Sequence, residues 1–125
     1  MRSQELKNPK PMKKREQQRD LFPGALEMMI MRTVQRQPMH GYALAQHIRR
    51  TSADLLQIEE GSLYPALQRL LKDGLLKSEW TVSATNREVK MYKLTAAGAR
   101  RLEQEVSSFE RMLAGISRVL SPSEG

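Results

Sequence analysis

The sequence predicts a mainly α fold with a small β-hairpin: a winged helix-turn-helix followed by a long terminal helix for dimerisation. Three observations carry this. Amphipathic helical segments fill residues 21–73, two runs of alternating residues follow with the turn-forming SATN between them, and the chain closes on an apolar heptad. At 125 residues there is material for one hydrophobic core and tails. A content of 39% hydrophobic and 28% charged residues is that of an ordinary folded domain, though aromatics are few. The expected division is a basic, flexible tail over 1–20, a winged helix-turn-helix over 21–94 and a dimerisation helix over 95–120.

Residues 1–20 hold Arg2, Lys7, Lys10, Lys13, Lys14, Arg15 and Arg19 against Glu5, Glu16 and Asp20, which accounts for +4 of the net +7. So few apolar residues cannot fold alone. The segment reads either as a solubilising tail or as an arm that touches phosphates or a partner, and it could extend the first helix. From Leu21 the composition changes. Phe22, Leu26, Met29, Ile30 and Val34 recur at helical spacing, Pro23 suits a first turn and Pro38 marks the far end. After the turn MHG, YALAQHIRRTS makes a short second helix with Tyr42, Ala45 and Ile48 on one side and Gln46, Arg49 and Arg50 towards solvent.

The third helix is the most informative segment. Leu63, Ala66, Leu67, Leu70 and Leu71 form one buried stripe, and Gly74 stands where a left-handed C-terminal cap belongs. The helix is expected from about Ser62 to Asp73, with Ser62 as N-cap and Pro65 in the first turn, where a missing N–H costs nothing. Ser62, Tyr64, Pro65, Gln68, Arg69 and Lys72 then occupy the face opposite the leucines. LLKSEWTV and REVKMYKL read as paired strands, with Leu76, Trp80 and Val82 at even spacing in one and Tyr92 and Leu94 in the other. Thr95 caps the last helix, in which Ala99, Leu102, Val106, Phe109, Leu113, Ile116 and Leu120 alternate by three and four residues.

This layout points to duplex DNA. The polar, basic outer face of the third helix suits a major groove, and a hairpin bearing Arg87, Lys90 and Lys93 arrives directly after it as a wing. Some wing charge could instead pair with Glu79 and Glu88 across the strands. Tyr42 reads as a core aromatic, as a phosphate ligand through its hydroxyl, or as both. A net charge of +7 and a pI of about 10.1 favour a polyanionic partner. A protein-docking module on the same fold is the alternative.

Other chemistries lack their residues. There is no Cys, and His40 and His47 are the only histidines, so a thiolate site, a zinc site or a nucleophile elbow cannot be assembled; no metal or cofactor is expected, nor an enzyme. His40 reads as a turn or capping residue. No apolar run reaches membrane-spanning length, which points to a cytoplasmic protein without a membrane partner. The heptad positions Leu102, Val106, Phe109, Leu113, Ile116 and Leu120 ask for the same helix of a second chain, hence a C2 homodimer whose recognition helices lie about one DNA turn apart on an inverted repeat. An intramolecular fold-back over the first helix is the competing arrangement.

MHGYALAQHI, EEGSLYPALQRLLKDGLL, the single Trp80 and KMYKLTAAG closely resemble the PadR family of bacterial transcriptional regulators, from about Leu21 to Leu120. The single terminal helix is similar to the small-bodied branch. The resemblance implies a homodimeric winged-helix protein, usually a repressor released by a small molecule or stress signal, with transporter or efflux genes as targets. It implies that Ser62, Tyr64, Pro65 and Arg69 enter or border the major groove, Tyr42 meets phosphate, and Lys90 and Lys93 are basic wing positions. Some drug-binding small members have a hydrophobic effector site at the dimer centre, where Phe109 and Met112 fall; here Phe stands in place of their larger Trp, and a Phe at a heptad position is more often core than ligand wall. The family's wing tip is often Gly-rich, whereas here it is SATN.

Overall fold

The computed structural model describes residues 24–122. The basic tail 1–20 and the expected helix start at Leu21, Phe22 and Pro23 lie outside these residues. The elements are α1 (Ala25–Arg36), β1 (Met39–His40), α2 (Gly41–Thr51), α3 (Glu60–Lys72), β2 (Leu76–Val82), β3 (Glu88–Leu94) and α4 (Ala96–Leu120). This is the expected winged helix-turn-helix with one addition. Met39 and His40, expected in a turn, pair with Tyr92 and Met91, so the hairpin belongs to a three-stranded antiparallel sheet of order β1-β3-β2. Two residues are too few to show a strand period.

Leu26, Ile30 and Val34 of α1, Leu44 and Ile48 of α2, and Leu63, Ala66, Leu67 and Leu70 of α3 form the core, closed by Leu75, Leu76, Tyr92 and Leu102. The i, i+4 pair Leu44 and Ile48 is the buried stripe of α2. Tyr42 is 64% exposed, so it is no core aromatic.

Two boundaries of α3 bear on its outer face. The helix begins at Glu60, before the expected Ser62, because Glu59 takes the N-cap position and its carbonyl accepts from the N–H groups of both Ser62 and Leu63 at 2.9 Å. Pro65 therefore sits in the second turn, where its missing N–H leaves the Gly61 carbonyl without an intrahelical donor. Gly61 is exposed, so that carbonyl is open to water. At the far end Gly74 has φ 73°; its N–H donates to Leu71 and that of Leu75 to Leu70, the paired bonds of a Schellman cap.

Thr95 caps α4 as expected. Its hydroxyl accepts from Gly98 N–H at 2.9 Å and donates to the Gly74 carbonyl at 2.7 Å, tying the helix start to the end of α3. The first turns of α4 lie on α1, joined at the rim by Arg32 and Glu103, 3.7 Å apart. This corrects the heptad reading at one position. Leu102 is 0% exposed within its own chain and is a core residue, because the helix crosses α1 before it leaves the body. From Ser107 onward every described residue except Phe109 and Ile116 is exposed.

Candidate nucleic-acid interface

The exposed face of α3 and the hairpin enclose one open groove of about 650 Å³, whose walls include Tyr42, Tyr64, Gln68, Trp80, Arg87 and Lys90. Each element contributes for a local reason. The core stripe Leu63–Ala66–Leu67–Leu70 fixes the rotation of α3, so Gly61, Pro65, Gln68 and Lys72 lie on its outward side with Tyr64 and Arg69 on opposite flanks.

Tyr64 leans on the start of α2. A Cβ at Gly41 would lie 2.7 Å from the Tyr64 Oη and 2.9 Å from its Cε1, so the ring fits only because residue 41 has no side chain. His40 holds that turn by accepting from Ala43 N–H at Nδ1, which agrees with the capping role expected of it. Tyr42, one residue on, lines the groove and is exposed.

Strand alternation sorts the hairpin. Leu76, Ser78, Trp80 and Val82 share a face with Leu94, Tyr92, Lys90 and Glu88. The core covers only the base of this face: Leu76 is 2% and Tyr92 4% exposed, whereas Trp80 is 65% and Val82 61% exposed. Burial, with a lesser effect of Tyr64, raises the Tyr92 phenol above its ordinary value. Lys90 lies over the Trp80 ring, 5.3 Å from its centroid. At the tip Asn86 adopts φ 65° where a glycine is common, and the Ser83 carbonyl accepts from Asn86 N–H, the bond of a tight turn followed by a left-handed residue. Arg87 follows it and is exposed.

Two expected contact residues are placed differently. Lys93 lies on the other face of β3, as alternation from Lys90 requires, and its Nζ pairs with Glu79 at 2.9 Å. That hydrogen bond holds the exposed Glu79 carboxyl below the usual range. Arg69 faces α1, and its Nε and Nη2 donate to Glu27 Oε2. This side-on pair occupies the Nε/Nη2 edge of the guanidinium and leaves the Nη1/Nη2 edge out of it. Arg49 likewise pairs with Asp54 at 3.1 Å, while Arg50 is exposed.

Sequence reasoning missed Trp80, Gly41 and Glu27. Trp80 was legible in principle, since an apolar residue five places into a seven-residue strand outruns a small core. The Gly41–Tyr64 and Glu27–Arg69 contacts join distant segments and leave no local signature.

On α4, Met112 is 41%, Leu113 44%, Val119 83% and Leu120 76% exposed, with Phe109 half-buried. Among the described residues no group of three or more acidic or histidine side chains gathers as a metal site, and no helix is long and apolar enough to cross a membrane.

Comparison with known proteins adds four findings. The family model described as "Transcriptional regulator PadR-like family" matches residues 30–104. The chain is 33% identical over 94 residues to a transcriptional regulator of Mycobacterium tuberculosis, spanning 75% of this chain and 84% of that protein. Its structure is similar to that of a transcriptional regulator from Clostridium thermocellum, with TM-score 0.73 and 25% identity over 79% of this chain and 93% of the other. It shares the fold of Bacillus subtilis PadR, solved in complex with operator DNA, with TM-score 0.59 and 23% identity over 65% of this chain and 47% of that one.

Proposed function

Because the chain belongs to the PadR-like family of transcriptional regulators, which are not enzymes, we propose that it is a sequence-specific, homodimeric repressor that seats duplex DNA in the groove between α3 and the hairpin. One observation carries the reading. Four elements, α2, α3, β3 and the hairpin tip, deliver Tyr42, Tyr64, Gln68, Lys90 and Arg87 to a single open groove beside the outward face of α3. That a neighbour of this fold is held on operator DNA supports it.

The roles follow from side-chain chemistry. Gln68 carries the paired donor and acceptor that suit an adenine edge, with Pro65 beside it on the outward face and Ser62 bordering the major groove from the flank that Arg69 shares. Arg87, Lys90 and the Tyr42 hydroxyl meet phosphates and supply most of the affinity. Arg69 positions α3 against α1 and does not read bases, and Lys93 stays outside the contact. The apolar seam Val106, Phe109, Leu113, Ile116 and Leu120, half-buried at its start and exposed at Leu113 and Leu120, pairs with its copy in a second chain, which places two α3 helices on an inverted repeat. Phe109 and Met112 border the apolar centre of that dimer, where a hydrophobic effector would act. The protein then works in the cytoplasm, and the promoter of its own gene is the first duplex to test.

Fluorescence anisotropy with that promoter duplex at about 50 mM and about 200 mM salt, against a scrambled competitor, tests the reading. Tight binding that resists the competitor and weakens in Gln68→Ala is expected. Equal affinity for both duplexes would remove the specificity, and no binding to either would leave the fold as a protein-docking module.

A further inference from the structure

Trp80 marks the point at which the inner face of the hairpin leaves the core. Its neighbours on that face, Leu76 and Tyr92, are buried, but the indole is 65% exposed. It is the only tryptophan in the chain, and the fold recovers little of the transfer free energy that burying it would return. The ring is nevertheless held in place. Trp80 pairs with Lys90 across the β2–β3 ladder, and the Lys90 ammonium stands 5.3 Å over its centroid, a cation–π contact that keeps a flexible side chain at the groove wall. Tyr64 and Gln68 of α3 and Tyr42 of α2 line the same groove.

An apolar ring beside a seated cation, in a groove lined by hydroxyl and amide donors, is complementary to a ligand in which apolar and anionic units alternate. The sugar–phosphate backbone of a duplex is such a ligand. Its bases are stacked away from a side wall, and its deoxyribose carbons and phosphate oxygens are not. We propose that Trp80 is a direct contact residue for the DNA backbone: the exposed edge of the indole packs on deoxyribose, and its face positions Lys90 for the adjoining phosphate. This rests on the DNA-binding reading of the same groove and adds a residue and a contact chemistry to it.

The lone tryptophan makes the test direct, because indole emission of the full-length chain reports this residue alone. The chain is titrated with dye-labelled promoter duplex while anisotropy follows binding and tryptophan emission follows the ring. Emission should quench and shift to the blue in step with anisotropy. Inorganic polyphosphate, which offers phosphates without sugars, should bind Lys90 and leave the emission wavelength unchanged. Trp80→Ala should weaken duplex binding roughly tenfold and flatten the salt dependence by about one unit, as Lys90→Gln does, because the lysine has lost its seat; Trp80→Phe should keep the salt slope. Binding seen by anisotropy with no change in emission, an equal shift with polyphosphate, or wild-type affinity in Trp80→Ala would each overturn the proposal while leaving the DNA-binding reading intact. No anisotropy change with any duplex would overturn both.

Discussion

Arg69 is fastened to Glu27 across 42 positions of sequence, with its Nε and Nη2 donating to one carboxylate oxygen at 2.9 and 2.6 Å. The bond joins the outer flank of α3 to the first turn of α1 and braces the rotation that the core stripe sets. The carboxylate is mostly covered and the arginine 59% exposed, so the pair stabilises the fold by about 0.5–1 kcal/mol at most. Its larger effect is on placement. Arg69→Ala and Glu27→Ala should each weaken promoter binding roughly three- to tenfold, and the double variant should be no weaker than either single one. If Arg69 instead read a base, Glu27→Ala would hold or raise affinity while Arg69→Ala lowered it, so anisotropy on the three variants separates the two roles.

Gly41 and Tyr64 are coupled by contact. An alanine at 41 would push on the Tyr64 ring at 2.7 to 3.0 Å, and that ring, 40% exposed, can swing into the groove to escape. The helix propensity gained at this position offsets part of the strain. Gly41→Ala should therefore melt within a few degrees of wild type yet bind the promoter roughly tenfold more weakly, about 1.4 kcal/mol. Thermal denaturation followed by circular dichroism, beside anisotropy on the same sample, checks the split.

The helices were legible because their stripes are long. Leu63 to Leu70 in α3 and the spacing from Leu102 to Leu120 in α4 state a period over several turns, and Gly74 and Thr95 state the caps. The start of α3 was misjudged because Ser62 is the better capping residue by chemistry, whereas Glu59 caps through its backbone carbonyl alone. On the hairpin, alternation separates Lys90 from Lys93, but only pairing with Glu79 and stacking on Trp80 reveal which face meets the groove. Arg69 shows the general limit. A helical wheel places it correctly on the flank, yet what it touches depends on a carboxylate in another helix.

Among the described glycines Gly98 leaves the least room for a side chain. A Cβ there would lie 2.1 Å from the Leu75 carbonyl oxygen, which is backbone and cannot move aside as a side chain can. Gly98→Ala should destabilise the fold by about 2 kcal/mol or more, whereas Thr95→Ala, which removes only the cap hydroxyl, should cost about 1 kcal/mol. Urea unfolding of both variants measures the difference, and equal midpoints would mean that α4 slides along the Leu75 segment to make room.

Within α4 the heptad divides into two jobs at Val106. Leu102, fully buried in its own chain, should behave as a core residue: Leu102→Ala loses about 2–5 kcal/mol of stability. Leu113 and Leu120 are 44% and 76% exposed, so Leu113→Glu and Leu120→Glu should leave the monomer folded and abolish pairing with a second chain. Light scattering after size exclusion should give twice the chain mass for wild type and a single chain mass for the glutamate variants. A monomeric wild type would assign the seam to another partner.

Tyr92 links the core to alkaline stability. Burial, assisted by Tyr64, raises its phenol above the ordinary 10.0, so the folded state keeps its proton at a pH where the unfolded chain has begun to lose it. The sign is then fixed: the contribution is whole below the unfolded pKa and is lost as pH climbs from there through the folded value. Tyr92→Phe keeps the packed ring and removes the ionisable group. Between about pH 8 and about pH 11 the wild-type urea midpoint should fall further than that of Tyr92→Phe, the difference cancelling the lysines that titrate over the same range. Parallel losses in the two proteins would show that the phenol finds a path to water through the groove, and with it that the base of the wing opens at high pH.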